Sequence, residues 1–218
     1  MYKRQVGSNI YSATAGVKVV KFRLSDDRAW LDPSSVRIQY KITNTSTSAA
    51  PNTEDLYPIK AHGFFNRLRI MTRSSLIEDI GDYNRVHEIF QSLKPENEVK
   101  SELIEGFRAS TNLTIPIATE GSLPFESFTQ IKQGNSMVVS FAPLSGLLNQ
   151  FHYGPLSCLP LEIELELSTD PLANIIDKSS AEDRIDGQYP PGFDVSESWR
   201  LSEFKILCAQ TYFSPIYT

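Results

Sequence analysis

Along most of this chain apolar and polar side chains alternate with a period of two, and a helical period surfaces once. Val36, Ile38, Tyr40 and Ile42 alternate with Arg37, Gln39 and Lys41, the pattern of a strand with one buried and one wet face. Leu161, Ile163, Leu165 and Leu167 alternate with Glu162, Glu164 and Glu166 in the same way. Met137, Val139 and Phe141 predict a third strand, and Trp199 to Phe213 a long closing one with Phe204, Ile206 and Cys208 on one parity. In VKVVKFRLS, Val17 and Val19 share a parity that slips at Val20 before Phe22 and Leu24, which suggests a β-bulge. Asp26-Asp27 and Asp32-Pro33 predict turns, with Trp30 and Leu31 as an apolar plug between them.

The stretch from Gly63 to Leu93 holds three kinds of local structure in succession. Phe64, Leu68 and Ile70 oppose Arg67 and Arg69, with Asn66 breaking the apolar face once. A turn at Ser74-Ser75 leads into LIEDI, a second strand ending at Gly81. Asp82 then fits a helix N-cap whose carboxylate accepts backbone N–H groups, and Tyr83, Val86, Phe90 and Leu93 fall on one helical face. Elsewhere the pattern fades. Residues 1 to 16 read as an extended N-terminal arm, residues 44 to 56 as an exposed loop, and PENEVKSELIEGF as a further short helix. A weak strand is expected at Leu113 to Ile117, a compact aromatic loop from Leu144 to Pro160, and a long polar excursion over residues 169 to 198.

About eight strands, one inserted helix and no βαβ alternation predict an all-β, antiparallel, eight-stranded jelly-roll sandwich over residues 17 to 218. An immunoglobulin-like sandwich is the alternative, without that family's Cys and Trp spacing. A length of 218 residues suits one large β domain.

Charge narrows the function. A net charge of −5 and a pI near 5.3 oppose a role as a nucleic-acid binder, and Lys3 and Arg4 alone make a poor basic arm. Arg67, Arg69 and Arg73 are expected to form a solvated or cross-strand-paired face. No apolar run reaches the ~20 residues of a membrane span, and the first residues carry no secretory pattern. Cys158 and Cys208 are then expected to be reduced. Asn44-Thr45-Ser46 and Asn112-Leu113-Thr114 fit the glycosylation pattern by chance.

Candidate chemistry is sparse. His62, His87 and His152 lie far apart and form no spaced ligand pair, and His87 falls one residue from the helix's apolar stripe, as an interfacial histidine would. Glu162, Glu164 and Glu166 could supply paired carboxylates for acid–base work. A structural ladder is the stronger reading, with cations expected from Arg37 and Lys41, because in a jelly roll the penultimate strand lies beside the second. No nucleotide-binding loop, nucleophile elbow or C-x-x-C pair occurs, so no catalytic, cofactor-binding or metal-ligating residue is assigned.

Four pieces in order carry a resemblance: WLDPSSVRIQYKITN, FFNRLRI, EDIGDYNRVHE, and PLSGLL ahead of the acidic strand LEIELEL. Residues 22 to 168 resemble jelly-roll capsid proteins of small eukaryotic DNA viruses, in the polinton-like virus and virophage neighbourhood, and in particular the first jelly roll of a double jelly-roll major capsid protein. Double jelly-roll chains form trimeric capsomers and single jelly-roll penton proteins form pentamers; this chain has room for one jelly roll. The resemblance implies a structural protein of the virion shell, synthesised inside the host cell, whose partners are other copies of itself and other capsid proteins. It implies no enzymatic activity and no direct sequence-specific nucleic acid. Subunit contacts are expected at Tyr83, Asn84, Arg85, His87 and Glu88. A penton-like or lectin-like receptor- or carbohydrate-binding module is the alternative, with Phe151 and Tyr153 as its aromatic platform.

Overall fold

The computed structural model describes residues 2–4, 10–12, 18–47, 56–58, 61–95, 131–168, 176–177 and 198–212. Strands β1 (Tyr2–Arg4), β2 (Ile10–Ser12), β3 (Val19–Leu24), β4 (Ala29–Leu31), β5 (Arg37–Asn44), β6 (Tyr57–Pro58), β7 (Phe65–Thr72) and β8 (Ser75–Gly81) precede helix α1 (Tyr83–Ser92). After it come β9 (Ser136–Phe141), β10 (Gly154–Pro155), β11 (Leu161–Leu167), β12 (Ile176–Asp177), β13 (Trp199–Leu207) and β14 (Gln210–Tyr212).

Two antiparallel sheets make the body. One runs β3-β11-β7-β8; the other runs β13-β5-β9, with β1 and β2 paired in succession along the free side of β13. Taking β1 and β2 as two pieces of one edge strand, this is the strand order of a jelly roll. Where the sequence predicts an arm, Tyr11 of β2 is fully buried and meets Phe204 edge-on at 5.3 Å. Small sheets, β10-β4-β14 and β12-β6, flank the body. In β4 it is Ala29 and Leu31 that are buried while Trp30 is exposed, so the plug has Leu31 without its tryptophan.

The inner faces follow the two-residue period. Val36, Ile38, Tyr40 and Ile42 are buried, as are Leu161, Ile163, Leu165 and Leu167. Tyr40 sits where the sheets meet: it stacks on Phe204 at 5.1 Å and meets Phe65, Phe64 and Phe141 edge-on at 5.7, 6.1 and 6.5 Å. Its hydroxyl donates to the Ala61 carbonyl.

Bulges resolve places where the pattern stumbles. Between Arg67 and Phe65 the register against β11 shifts by one, so Asn66 is the extra residue and Phe65 turns inward. A second shift in β13 between Ser202 and Lys205, with Glu203 at φ 55°, carries burial from Leu201 to Phe204. The bulge expected at Val20 is absent: Val20, Phe22 and Leu24 alternate regularly into the core. The closing strand stops at Leu207 and resumes as β14 beside β4. Arg73 and Ser74, both at positive φ, make the two-residue hairpin between β7 and β8.

The acidic strand is a ladder, but Arg37 and Lys41 do not serve it. β11 lies between β3 and β7, whose opposed residues supply Lys21 and Arg69 to Glu164 (Arg69 at 3.5 Å) and Arg23 to Glu162 (3.2 Å). Arg67 turns to Asp79 on β8 at 2.5 Å and holds that carboxyl below the usual carboxylate range. Because the folded-state value is the lower one, this pair contributes in full above pH ~4 and its contribution is lost as pH falls through the lowered value. The expected short helix after Lys94, the strand at 113 to 117, Asn112, and most of the loops at 44 to 56 and 169 to 198 lie outside the described residues.

Candidate subunit-contact surface

Helix α1 is inserted between the two sheets' strands β8 and β9 and packs on β7 and the 3-10 turn Ala61–Phe64. Its start departs from the expected cap. Asp82 holds the N-cap position in the left-handed conformation, φ 46°, and its side chain makes no capping bond. Its backbone carbonyl instead accepts from the N–H groups of Arg85 and Val86, each at 3.0 Å. Asp is among the residues that tolerate this conformation.

Rotation of the helix is set by Tyr83. Its buried hydroxyl accepts from the Leu144 N–H at 2.8 Å, which turns the 83, 87, 91 line inward. Tyr83, Asn84, His87 and Gln91 are accordingly the buried residues of α1. Val86 is half-buried, whereas Ile89, Phe90 and Leu93 are 59%, 53% and 76% exposed. The predicted apolar stripe therefore runs from buried Tyr83 through half-buried Val86 into solvent at Phe90 and Leu93, and the helix rests on a polar, aromatic seam. Of the five residues expected at subunit contacts, Tyr83, Asn84 and His87 point into the protein, and Arg85 and Glu88 point out. Ile89, which the sequence reading omits, joins the outward face.

Beneath the helix His62 and His87, distant in the chain, stack at 4.0 Å. No sequence spacing announces that pairing. The turn at Ser145-Gly146 is held by Glu78 of β8. That carboxylate accepts from the Ser145 hydroxyl at 2.5 Å and from the Gly146 and Leu147 N–H groups at 2.8 and 3.4 Å. Ser145 Oγ in turn accepts from the Leu148 N–H at 3.1 Å. EDIGDYNRVHE and PLSGLL are thus one bonded unit, joined through Glu78 and Tyr83. Glu78→Ala leaves two N–H groups and a hydroxyl without their acceptor and is expected to cost about 2 kcal/mol. Urea unfolding measures it; a loss under ~0.5 kcal/mol, the ordinary surface value, overturns the linkage.

Other candidates stand apart from this surface. Phe151 is 89% exposed and Tyr153 is exposed beside it in the chain. Asn44 is buried, with its Nδ2 donating to the Ile131 carbonyl at 3.1 Å, so as placed it is closed to a glycan. Both cysteines are free thiols, Cys208 buried and Cys158 exposed. Among the described residues no group of three or more His, Cys, Asp or Glu side chains is placed to hold a metal ion, and no helix is long and apolar enough to cross a membrane.

No family model matches the chain, and no curated protein matches it. Among solved structures it is similar to the Sputnik virophage structure determined by cryo-EM, with a TM-score of 0.47 and 18% identity over 99% of this chain and 50% of that one. It is also similar to PBCV-1 VP54, fitted into a cryo-EM reconstruction of the virophage Sputnik, with a TM-score of 0.52 and 9% identity over 98% of this chain. The chain spans 42% of the length of that protein and shares its fold.

Proposed function

We propose that this chain is a structural capsid protein, a jelly-roll building block that binds copies of itself and builds capsomers of an icosahedral virion shell. The observation that carries this reading is the outward apolar face of α1. Ile89, Phe90 and Leu93 spend exposed apolar area on a helix whose inward face is polar, an arrangement that suits a helix covered on both sides in an assembly. Arg85 and Glu88 flank that face with opposite charges, which a second copy can match. A fold shared with a protein fitted into a virophage reconstruction supports the same reading. In this proposal residues 17 to 218 form one jelly-roll domain, with β1 and β2 completing its edge.

Solution mass across concentration, by native mass spectrometry with negative-stain images of the same sample, tests it. Trimers, pentamers or closed shells are the expected result, and they distinguish the two capsomer symmetries. A chain that stays monomeric at the highest concentrations overturns it.

A further inference from the structure

A ring of three or five identical copies cannot be closed by one patch meeting itself. Self-complementary contacts pair copies about a two-fold axis, whereas a trimer or pentamer needs two different patches on every copy. The exposed large apolar side chains among the described residues fall into two groups, with Ile10 outside both. Leu76 and Ile77 of β8 and Val138 of β9 accompany Ile89, Phe90 and Leu93 on the α1 side, where the helix follows β8 and His87 meets Phe141 of β9. The second group, Trp30, Phe151, Tyr153 and Tyr212, lies on the small sheet β10-β4-β14 and the loop that enters it. Register sets the two groups apart. Gly81, from which α1 springs, is level with Arg67, Glu166 and Val19, while the small sheet connects to Leu24 and Leu161, level with Thr72 and Ser75 at the other end of the sandwich.

Phe151 is 89% exposed, Tyr212 59% and Tyr153 49%. Beside Phe151 is an apolar cleft of about 60 Å³, walled by Leu31, Leu148, Leu156 and Leu161, with Gln150 and His152 exposed at its rim. Such walls offer water few polar partners and favour an aliphatic tip. Leu93, at the end of α1 and 76% exposed, presents one. Together the two patches offer roughly 800 Å² of apolar surface, the apolar share of a standard interface of about 1,200–1,600 Å². We propose that the end patch centred on Phe151 is the partner of the α1 face: the helix of each copy docks on the Phe151 end of the next, head to tail, with Leu93 in the cleft. This inference rests on the capsid reading and supplies the other half of its contact.

Mixing two variants that each lack one patch tests it, read by native mass spectrometry with one variant isotopically heavy. Phe90→Asp with Leu93→Asp removes the α1 face, and Phe151→Asp with Tyr153→Asp removes the end patch. Each alone is expected to self-associate at least ~100-fold more weakly than the unmodified chain. An equimolar mixture keeps one sound contact per pair, so a one-to-one heterodimer and nothing larger is expected. Should the end variant show a lowered thermal midpoint, Phe151→Asp alone, at the most exposed side chain of the patch, takes its place. A mixture that stays monomeric, or an end variant that assembles as the unmodified chain does, overturns the proposal. Dimers of the end variant alone overturn it too, because α1 then meets α1. An unmodified chain that is itself monomeric overturns the capsid reading and this inference together, whereas an assembling chain whose variants fail to pair overturns the inference alone.

Discussion

Tyr40→Ala is expected to cost about 4 kcal/mol, the upper part of the range for deleting a buried large side chain. The ring is fully buried and touches aromatic partners from both sheets: Phe204 and Phe141 from its own, and Phe65 from the other. Phe64, at the end of the turn under α1, is a fourth contact. Removing the ring opens a cavity where the sheets are joined and orphans the Ala61 carbonyl that the hydroxyl serves. Tyr40→Phe separates the two losses, since it keeps the packing and removes the bond alone, at about 1–2 kcal/mol. In a domain of this size 4 kcal/mol lowers the thermal midpoint by roughly 8–16 °C. Urea melts with an unchanged slope are the check, and a deficit below ~1.5 kcal/mol for the alanine variant contradicts the central place given to this ring.

Tyr40 also shows how the chain could be read in advance. It sits in a strand of strict alternation, and such strands place themselves: a slip by one residue sends every apolar side chain to water. The same holds for Leu161 to Leu167. What alternation does not supply is the neighbour. The expectation that Arg37 and Lys41 face the acidic strand applied a sound rule to a count begun one strand late. The first strand is made of Tyr2–Arg4 and Ile10–Ser12, too short and too polar to announce itself, and it gains its order by pairing with β13. With it counted, the penultimate strand does lie beside the second, β3, and Lys21 and Arg23 do the neutralising. The two bulges are hidden from the sequence for a related reason. A single extra residue at Asn66 or around Glu203 reverses which side chains point inward, and only the partner strand's register reveals it.

Helix α1 is the sharpest divergence between pattern and placement, and its cause is tertiary. Hydrophobic periodicity identified the helix and its stripe correctly but assumed that the stripe is the buried face. Two contacts from distant parts of the chain decide otherwise: the Leu144 N–H on the Tyr83 hydroxyl, and His62 against His87. The five residues expected at subunit contacts therefore divide: Arg85 and Glu88 face solvent, while Tyr83, Asn84 and His87 are buried under the helix, and Phe90 and Leu93 of the apolar stripe are exposed.

The second large effect follows from that inversion. Phe90→Asp with Leu93→Asp is expected to weaken self-association at least ~100-fold, about 2.7 kcal/mol per contact, by placing unpaired carboxylates where a second copy would bury apolar area. The same double substitution is expected to leave the isolated fold unchanged within ~0.5 kcal/mol, because Phe90 is 53% and Leu93 76% exposed and neither belongs to the buried core. The opposite result is what the ordinary amphipathic reading predicts, namely that acids on the apolar stripe would detach α1 and destabilise the protein. Measuring the thermal midpoint of the monomer beside the concentration dependence of its mass separates the two. A stable variant that no longer assembles assigns the face to a partner. An unstable one returns it to the core, and a stable one that still assembles moves the contact to another surface of the jelly roll.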